Sequence, residues 1–313
     1  MYAYNAYLNT LLNFTSNVKN TQMRAAGFMK DQAKKFDSKD NVAHAKRSKW
    51  IKNDIEVVGA LHLSMFQQSK YLIPGVNVSL KFIRNKSEFI IMNFGTNRAK
   101  VDILSMILYT RRVTVIPSAL KAHEDGLENS NAIYPLHKHR ISTYTLATGS
   151  TSDTREILIG NHTPKLIVVG LVENEAYNGD VGKNPFNFQH FGISSICLMK
   201  NGAPSAYPMI HMDFSVDGYL MAYIMSLQNL GMGLNDRTND ITMKDFSNGN
   251  TLFVYNLTAD LDISGMCSQP TQFNNLRLDL NFKNALVRSI NVIIFSIFDQ
   301  SIEITKSRAV LVK

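Results

Sequence analysis

Two histidines separated by one residue, His137 and His139 in PLHKHR, fall on the same face of a β-strand, a spacing that a metal ion can use. No third ligand with a spacing of its own accompanies them, and exposed strand histidines account for the pair. His123, Glu124 and Asp125 are consecutive in a short polar helical segment, where neighbours point in different directions and cannot converge on one reacting atom. His211 and Asp213 share a face if PMIHMDF is extended, but no nucleophile is anchored beside them. Ser194 and Ser195 lie in an apolar run without the tight turn of a nucleophile elbow. Gly179, Gly182 and Lys183 invite a phosphate loop, yet the glycine spacing is too short, Asn184 replaces the Ser or Thr, and Pro185 removes a donor. GMG from Gly231 follows a helical pattern rather than a strand, so it is not a dinucleotide fingerprint. The residues therefore predict no catalytic centre, no metal and no cofactor, and the protein reads as a non-enzyme.

The elements that surround these residues are mostly β from Asn53 onward. VSLKF alternates Val78, Leu80 and Phe82 with polar residues, and LRLDLNF places Leu276, Leu278, Leu280 and Phe282 opposite Arg277, Asp279 and Asn281; both predict half-buried strands. LIVVGLV and INVIIFSIF are apolar on both faces, which predicts the middle of a multilayer structure or a contact between subunits. The segment from Lys100 reads as one long strand ended by Pro117, and Asn201-Gly202 predicts a hairpin. Helices interrupt this pattern in three places. Tyr4, Tyr7, Leu8, Leu11 and Leu12 have helical spacing at the start of the chain. SALKAHEDGLEN predicts a short connector helix. DGYLMAYIMSLQNLG predicts a helix with Asp217 as N-cap, Gly231 as C-cap and Leu220, Tyr223, Ile224 and Leu227 on the face that meets the edge of a sandwich. Many short strands separated by turn residues predict β-sandwiches, of which the jelly roll is one way to protect sheet edges.

Between two apolar runs lies VENEAYNGDVGKNPFNFQHFGIS. Phe186, Phe188 and Phe191 offer large apolar area, while Asn178, Asp180, Asn184 and Asn187 can bond turn backbone that has no ladder partner. The expectation is a structural clasp built on Asn178, Asp180, Pro185, Phe186 and Phe188, rather than a ligand loop.

With 313 residues, 45% of them hydrophobic and 19% charged, the chain belongs to the globular class and has room for two compact units or one large β domain. No apolar run has the length of a membrane span, and MYAYNAYLNT lacks the basic start of a signal peptide. Cys197 and Cys267 read as buried free thiols, with a disulfide left open. The formal charge of +8 is concentrated in residues 30–52, which hold eight Lys or Arg against three Asp. The expectation there is a solvated basic loop without helical or strand pattern. The alternative is a non-enzymatic module that contacts nucleic acid through Lys34, Lys35, Lys46 and Arg47.

A family likeness emerges from YNAYLNTLLNF, IEVVGALHLSMFQQSKYLIPGVNVSLKFIRN, VIPSALKAHEDGLE, LIVVGLVENEAYNGDVGKNPFNFQHFGIS, TLFVYNLTADL, LRLDLNF and ITKSRAVLV. Together these resemble the double-jelly-roll major capsid proteins of Polinton (Maverick) transposable elements and adintoviruses, over nearly the whole chain. The most specific block runs from Leu166 to Phe191. The resemblance implies a mainly β fold of two jelly-roll β-sandwich domains with a few short helices, and a viral structural protein of the virion. Its implied partners are further copies of itself, as a homotrimer in a capsid lattice, and a minor capsid protein; nucleic acid is a further candidate and a membrane is not expected. The implied organisation is the C-terminal part of a first jelly roll over residues 1–117, a helical connector over 118–132 and a second jelly roll over 133–313. Relatives carry sequence before YNAYLNTLLN, so the first jelly roll is expected to be incomplete here, its edges unpaired.

Overall fold

The alternation of LRLDLNF and the doubly apolar runs both depend on what lies beside them. A computed structural model of the chain describes residues 2–51, 54–96, 99–205, 207–233, 236–258 and 273–313. The chain passes through helices α1 (Tyr2–Asn13), α2 (Ser16–Asn20), α3 (Gln22–Ala25), α4 (Val42–Trp50), α5 (Ser64–Gln67), α6 (Ser87–Ile90) and α7 (Pro117–Asn129). Strands β1 (Ala132–Leu146), β2 (Ser152–His162) and β3 (Leu166–Glu173) follow, then α8 (Asn174–Asn178), β4 (Ile193–Lys200), β5 (Ala203–Pro204) and β6 (Ile210–His211). The remainder is α9 (Leu220–Gln228), α10 (Met243–Ser247), β7 (Leu252–Asn256), β8 (Phe273–Phe282), β9 (Ile290–Ile304) and β10 (Val310–Val312).

Among the described residues, the strands form two five-stranded antiparallel sheets. One runs β1-β9-β3-β7 with β10 also on β9; the other runs β2-β8-β4-β5 with β6 also on β4. From β1 to β4, and again from β7 to β9, each successive strand changes sheet. The first and last long strands then lie side by side, paired from Ala132↔Ile304 to Leu146↔Ile290. This alternating path, closed by pairing first strand with last, is a jelly roll, and the expected mainly β, jelly-roll architecture is met by residues 132–313.

Burial follows from the layers. Along β8 the buried residues are Asn274, Leu276, Leu278, Leu280 and Phe282, so the β8 sheet has one face on the core and one polar face outward. The β9 sheet is different: β3 is buried over Leu166–Val172 and β9 over its first eight residues. One face of the β9 sheet meets the β8 sheet. The other is covered by α1, whose Tyr4, Leu8, Leu11 and Leu12 are buried in the same cluster. A strand between two layers reads as apolar on both faces.

Local chemistry explains several boundaries. Asn201 and Gly202 both have positive φ, 50° and 85°, the geometry of the two-residue type I′ turn that joins β4 to β5. The helix predicted over SALKAHEDGLEN is α7, with Pro117 at its start where no N–H is needed. At α10 the Thr242 side chain accepts from the Asp245 N–H and Asp245 accepts from the Thr242 N–H, a capping box.

Other expectations are corrected. Residues 78–82 and 100–116 form no strand; a ladder needs a neighbour, and none pairs with these segments among the described residues. Their apolar side chains are consequently exposed, Leu104 at 77% and Tyr109 at 85%. The basic segment is not all loop, since α4 occupies Val42–Trp50 under an N-cap in which Asn41 accepts from the Ala43 N–H. Lys52 lies outside the described residues, as does Cys267, whereas Cys197 is a buried free thiol. Asp217 does not cap α9. It sits at φ 54° in the tight turn between Asp213 and Gly218, and Tyr219 takes the N-cap place. The buried face of α9 is Ala222, Met225 and Ser226 rather than the Leu220 and Ile224 face, a choice left ambiguous by a helix apolar nearly all round. Among the described residues, no helix is long and apolar enough to cross a membrane.

Candidate functional site

The aromatic loop after β3 is where the opening segment of the chain meets the sandwich. Phe188 is fully buried and lies over Gly170 of β3, where a Cβ would stand 2.6 Å from its ring. Its backbone is fastened on two sides, with the Phe188 N–H donating to Gly249 O at 2.9 Å and the Gln189 N–H to Leu171 O at 3.0 Å. Phe186, half-buried, stacks on Tyr7 of α1 with ring centroids 4.2 Å apart. Tyr4 meets Phe186 edge-on at 5.3 Å, and its buried hydroxyl donates to Pro185 O at 2.9 Å. Rings from a helix and a loop far apart in sequence thus form one cluster, which Tyr177 and Phe89 complete.

Polar groups fix the same junction. Asp31 is buried; its Oδ1 accepts from Asn41 Nδ2 at 2.7 Å and from Arg47 at 2.6 Å, and its Oδ2 accepts from Asn184 Nδ2 at 3.1 Å. Asp37 accepts from the Asn184 N–H and from Asn187 Nδ2, both at 2.6 Å. Burial pushes the Asp37 carboxyl above its ordinary value, and these two donors oppose that shift. Phe36 inserts over Gly249, which has φ 119° and no room for a Cβ. Lys30 pairs with Asp245 at 2.8 Å, the carboxylate that caps α10. Lys19, buried, donates to Leu11 O at 2.7 Å and to Asn239 O at 2.5 Å, and burial pulls its ammonium down to about 8.

The structure distributes the candidate residues as follows. Asn178 donates to Asn174 Oδ1 at 3.1 Å and Asp180 accepts from the Gly182 N–H at 2.7 Å, so both serve the loop's own turns. Lys183, which a phosphate loop would need free, lies between Glu173 at 2.6 Å and Glu175. Of the four basic candidates, Lys34, Lys35 and Lys46 are exposed, whereas Arg47 is engaged by Asp31 and donates to Met29 O at 3.0 Å. An open basin of about 520 Å³ is lined by Lys30, Asp31, Gln32, Ala33, Lys35, Lys244 and Asp245. His123 stays on the surface of α7, whose Glu124 pairs with Arg308. His211 and Asp213 do not converge, since Asp213 is held by Lys283 at 2.8 Å. Ser195 accepts from Asn281 Nδ2 at 2.9 Å. Among the described residues, no three His, Cys, Asp or Glu side chains gather as a metal site.

Two features were missed in the sequence. Asp31 and Asp37 looked like charge balance in a basic run, two of the three Asp set among its lysines. His62 was not singled out, yet Tyr2, Asn5 and Asn9, one stripe of α1, all bond to it. Its N–H donates to Tyr2 Oη at 2.9 Å, its carbonyl accepts from Asn5 Nδ2 at 2.9 Å and its Nδ1 lies 3.1 Å from Asn9 Nδ2.

No family model matches the chain. It is 25% identical over 306 residues to an uncharacterized protein of Caenorhabditis elegans, covering 96% of this chain and 72% of that one. Solved structures that align with it include the mavirus major capsid protein, at 12% identity and TM-score 0.36 over 59% of this chain and 41% of that one. They also include PBCV-1 VP54 fitted into a reconstruction of the virophage Sputnik, at 12% identity and TM-score 0.40 over 63% and 54%. The chain spans about half the length of these structures.

Proposed function

We propose that the protein is a structural capsid protein of the kind its sequence resembles, a Polinton- or adintovirus-like shell subunit that works as a homotrimer in a capsid lattice. The observation that carries this reading is the site of the seam. The most family-specific block of the sequence, from Leu166 to Phe191, is the part of the jelly roll that receives the opening segment through Phe186, Phe188, Pro185 and Asn184. That block is spent on joining one part of the chain to another. In this reading residues 1–117 belong to a first jelly roll, residues 118–132 connect, and residues 133–313 are the second. The exposed apolar side chains of Ile103, Leu104, Met106, Ile107, Leu108 and Tyr109 support it, because a contiguous apolar patch of this kind calls for cover by another surface. The virion is then the place of action, with copies of the chain and a minor capsid protein as partners.

Light scattering of the purified protein tests the proposal, with electron microscopy of the same sample. The expected mass is three times the 35.2 kDa chain, with shell fragments or particles at higher concentration. A monomer at every concentration, with no particles, overturns it.

A further inference from the structure

Where the opening segment crosses the outer face of the β9 sheet, Ser64, two residues after His62, donates to the carbonyl of His137 on β1. His137 and His139 project from β1, and His139 lies with its ring 5.5 Å from that of Phe295 on β9. His62 comes from the stretch before α5, and its charge, with that of His137, would weaken proton binding at His139, where burial is the larger cause. His62 is 8% exposed and is the residue through which the polar stripe of α1 holds this stretch, while Ser64 of α5 donates to the His137 carbonyl. We infer that His62, His137 and His139 form a proton-operated latch, which is closed when the imidazoles are neutral and releases α1 and residues 55–67 from the sandwich when they are protonated.

The hydrogen bonding supplies the mechanism. Asn13 Nδ2 donates to Asn9 Oδ1, which turns Asn9 Nδ2 toward His62, and the neutral tautomer that completes this bond accepts at Nδ1. A proton on that nitrogen sets donor against donor and removes the bond. The charged groups around the cluster are few. Asp299 of β9 lies 3.5 Å from His137, but it is already held at 2.9 Å by Lys165, which precedes β3 and adds a positive charge. The stripe of α1 that faces His62 offers Tyr2, Asn5 and Asn9, none of them acidic. Burial is the largest cause holding all three imidazoles below their ordinary proton affinity; Lys165 adds to it at His137, and the neighbouring histidines add to it at His139. The sign follows. Released histidines titrate near about pH 6.5, so the seam is at full strength above that value and weakens as the pH falls through it toward the lower folded values. This inference does not depend on whether the protein builds a shell.

Hydrogen exchange of peptides from residues 2–13 and 55–67, corrected for intrinsic exchange, tests the latch. Protection is expected to fall about tenfold between about pH 7.5 and about pH 5 while β8 stays protected. His62→Gln and His139→Gln are expected to flatten this response. Asn9→Asp, which gives protonated His62 an acceptor, is expected to keep the seam closed at the lower pH, and it decides the question if the glutamine variants do not fold. Equal protection at both pH values in the unaltered protein, or an unchanged response in Asn9→Asp and in the glutamine variants that fold, overturns the inference.

Discussion

The Phe188 ring and the missing side chain of Gly170 are one packing solution. A methyl group at Gly170 would stand 2.6 Å from Phe188 Cδ1 and 2.8 Å from Leu252 Cδ2, and both neighbours are buried. Gly170→Ala is therefore expected to lower stability by about 1–3 kcal/mol through overpacking, measured as the shift in urea midpoint. Phe188→Ala should cost more, about 3–5 kcal/mol, because it empties a fully buried site. Equal stability of Gly170→Ala and the unaltered protein would mean that the ring is not seated where it is described. The sequence made legible an alternation of Phe186 and Phe188 among turn-forming Asn residues. It left hidden the fact that the rings grip α1. A loop's composition reports what it can bond, and the partner is settled by a fold that brings residue 7 against residue 186.

At the scale of elements, the edge strand β7 shows how a free row of carbonyls is managed. Ser226 of α9 donates to Leu252 O at 2.9 Å, and Asn229, just past the helix, donates to Val254 O at 2.7 Å. The Asn229 side chain also accepts from the Tyr207 hydroxyl at 2.7 Å. Asn229→Ala leaves a buried carbonyl and a hydroxyl without partners and is expected to cost about 1–3 kcal/mol, with calorimetry as the readout. A variant as stable as the parent would mean that α9 does not seal this edge. The packing of this helix on a sandwich edge was legible from its place between strands. Its buried face was not, because LMAYIMSL presents apolar residues on every side and leaves Ser226 and Asn229 to decide. The strands β3, β8 and β9 were legible for the opposite reason, since β8 alternates strictly and β3 and the first half of β9 are short continuous apolar runs. Residues 78–82 and 100–116 carry the same signal, but periodicity describes a residue's preference and says nothing about whether a neighbouring strand is at hand.

For the whole molecule, the basic segment divides into two rows. Lys30, Asp31, Arg47 and Asp37 face the sandwich and hold it, while Lys34, Lys35 and Lys46 face outward. Asp31→Ala strands Arg47, Asn41 and Asn184 at once. It is expected to cost about 1–3 kcal/mol and to open residues 30–41 to proteolysis. Replacing Lys34, Lys35 and Lys46 together with Ala should change stability by no more than about 0.5 kcal/mol. Equal losses in the two variants would sink this division. The jelly roll carries one more consequence, for the order of events on the ribosome. Strand β1 is made well before its partner β9, and β9 is also the strand that separates β1 from β3. The sheet that receives α1 is therefore assembled only after β9 has been made. Until then the opening helix has no surface to land on, and nascent or prematurely ended chains would expose strand edges that invite aggregation.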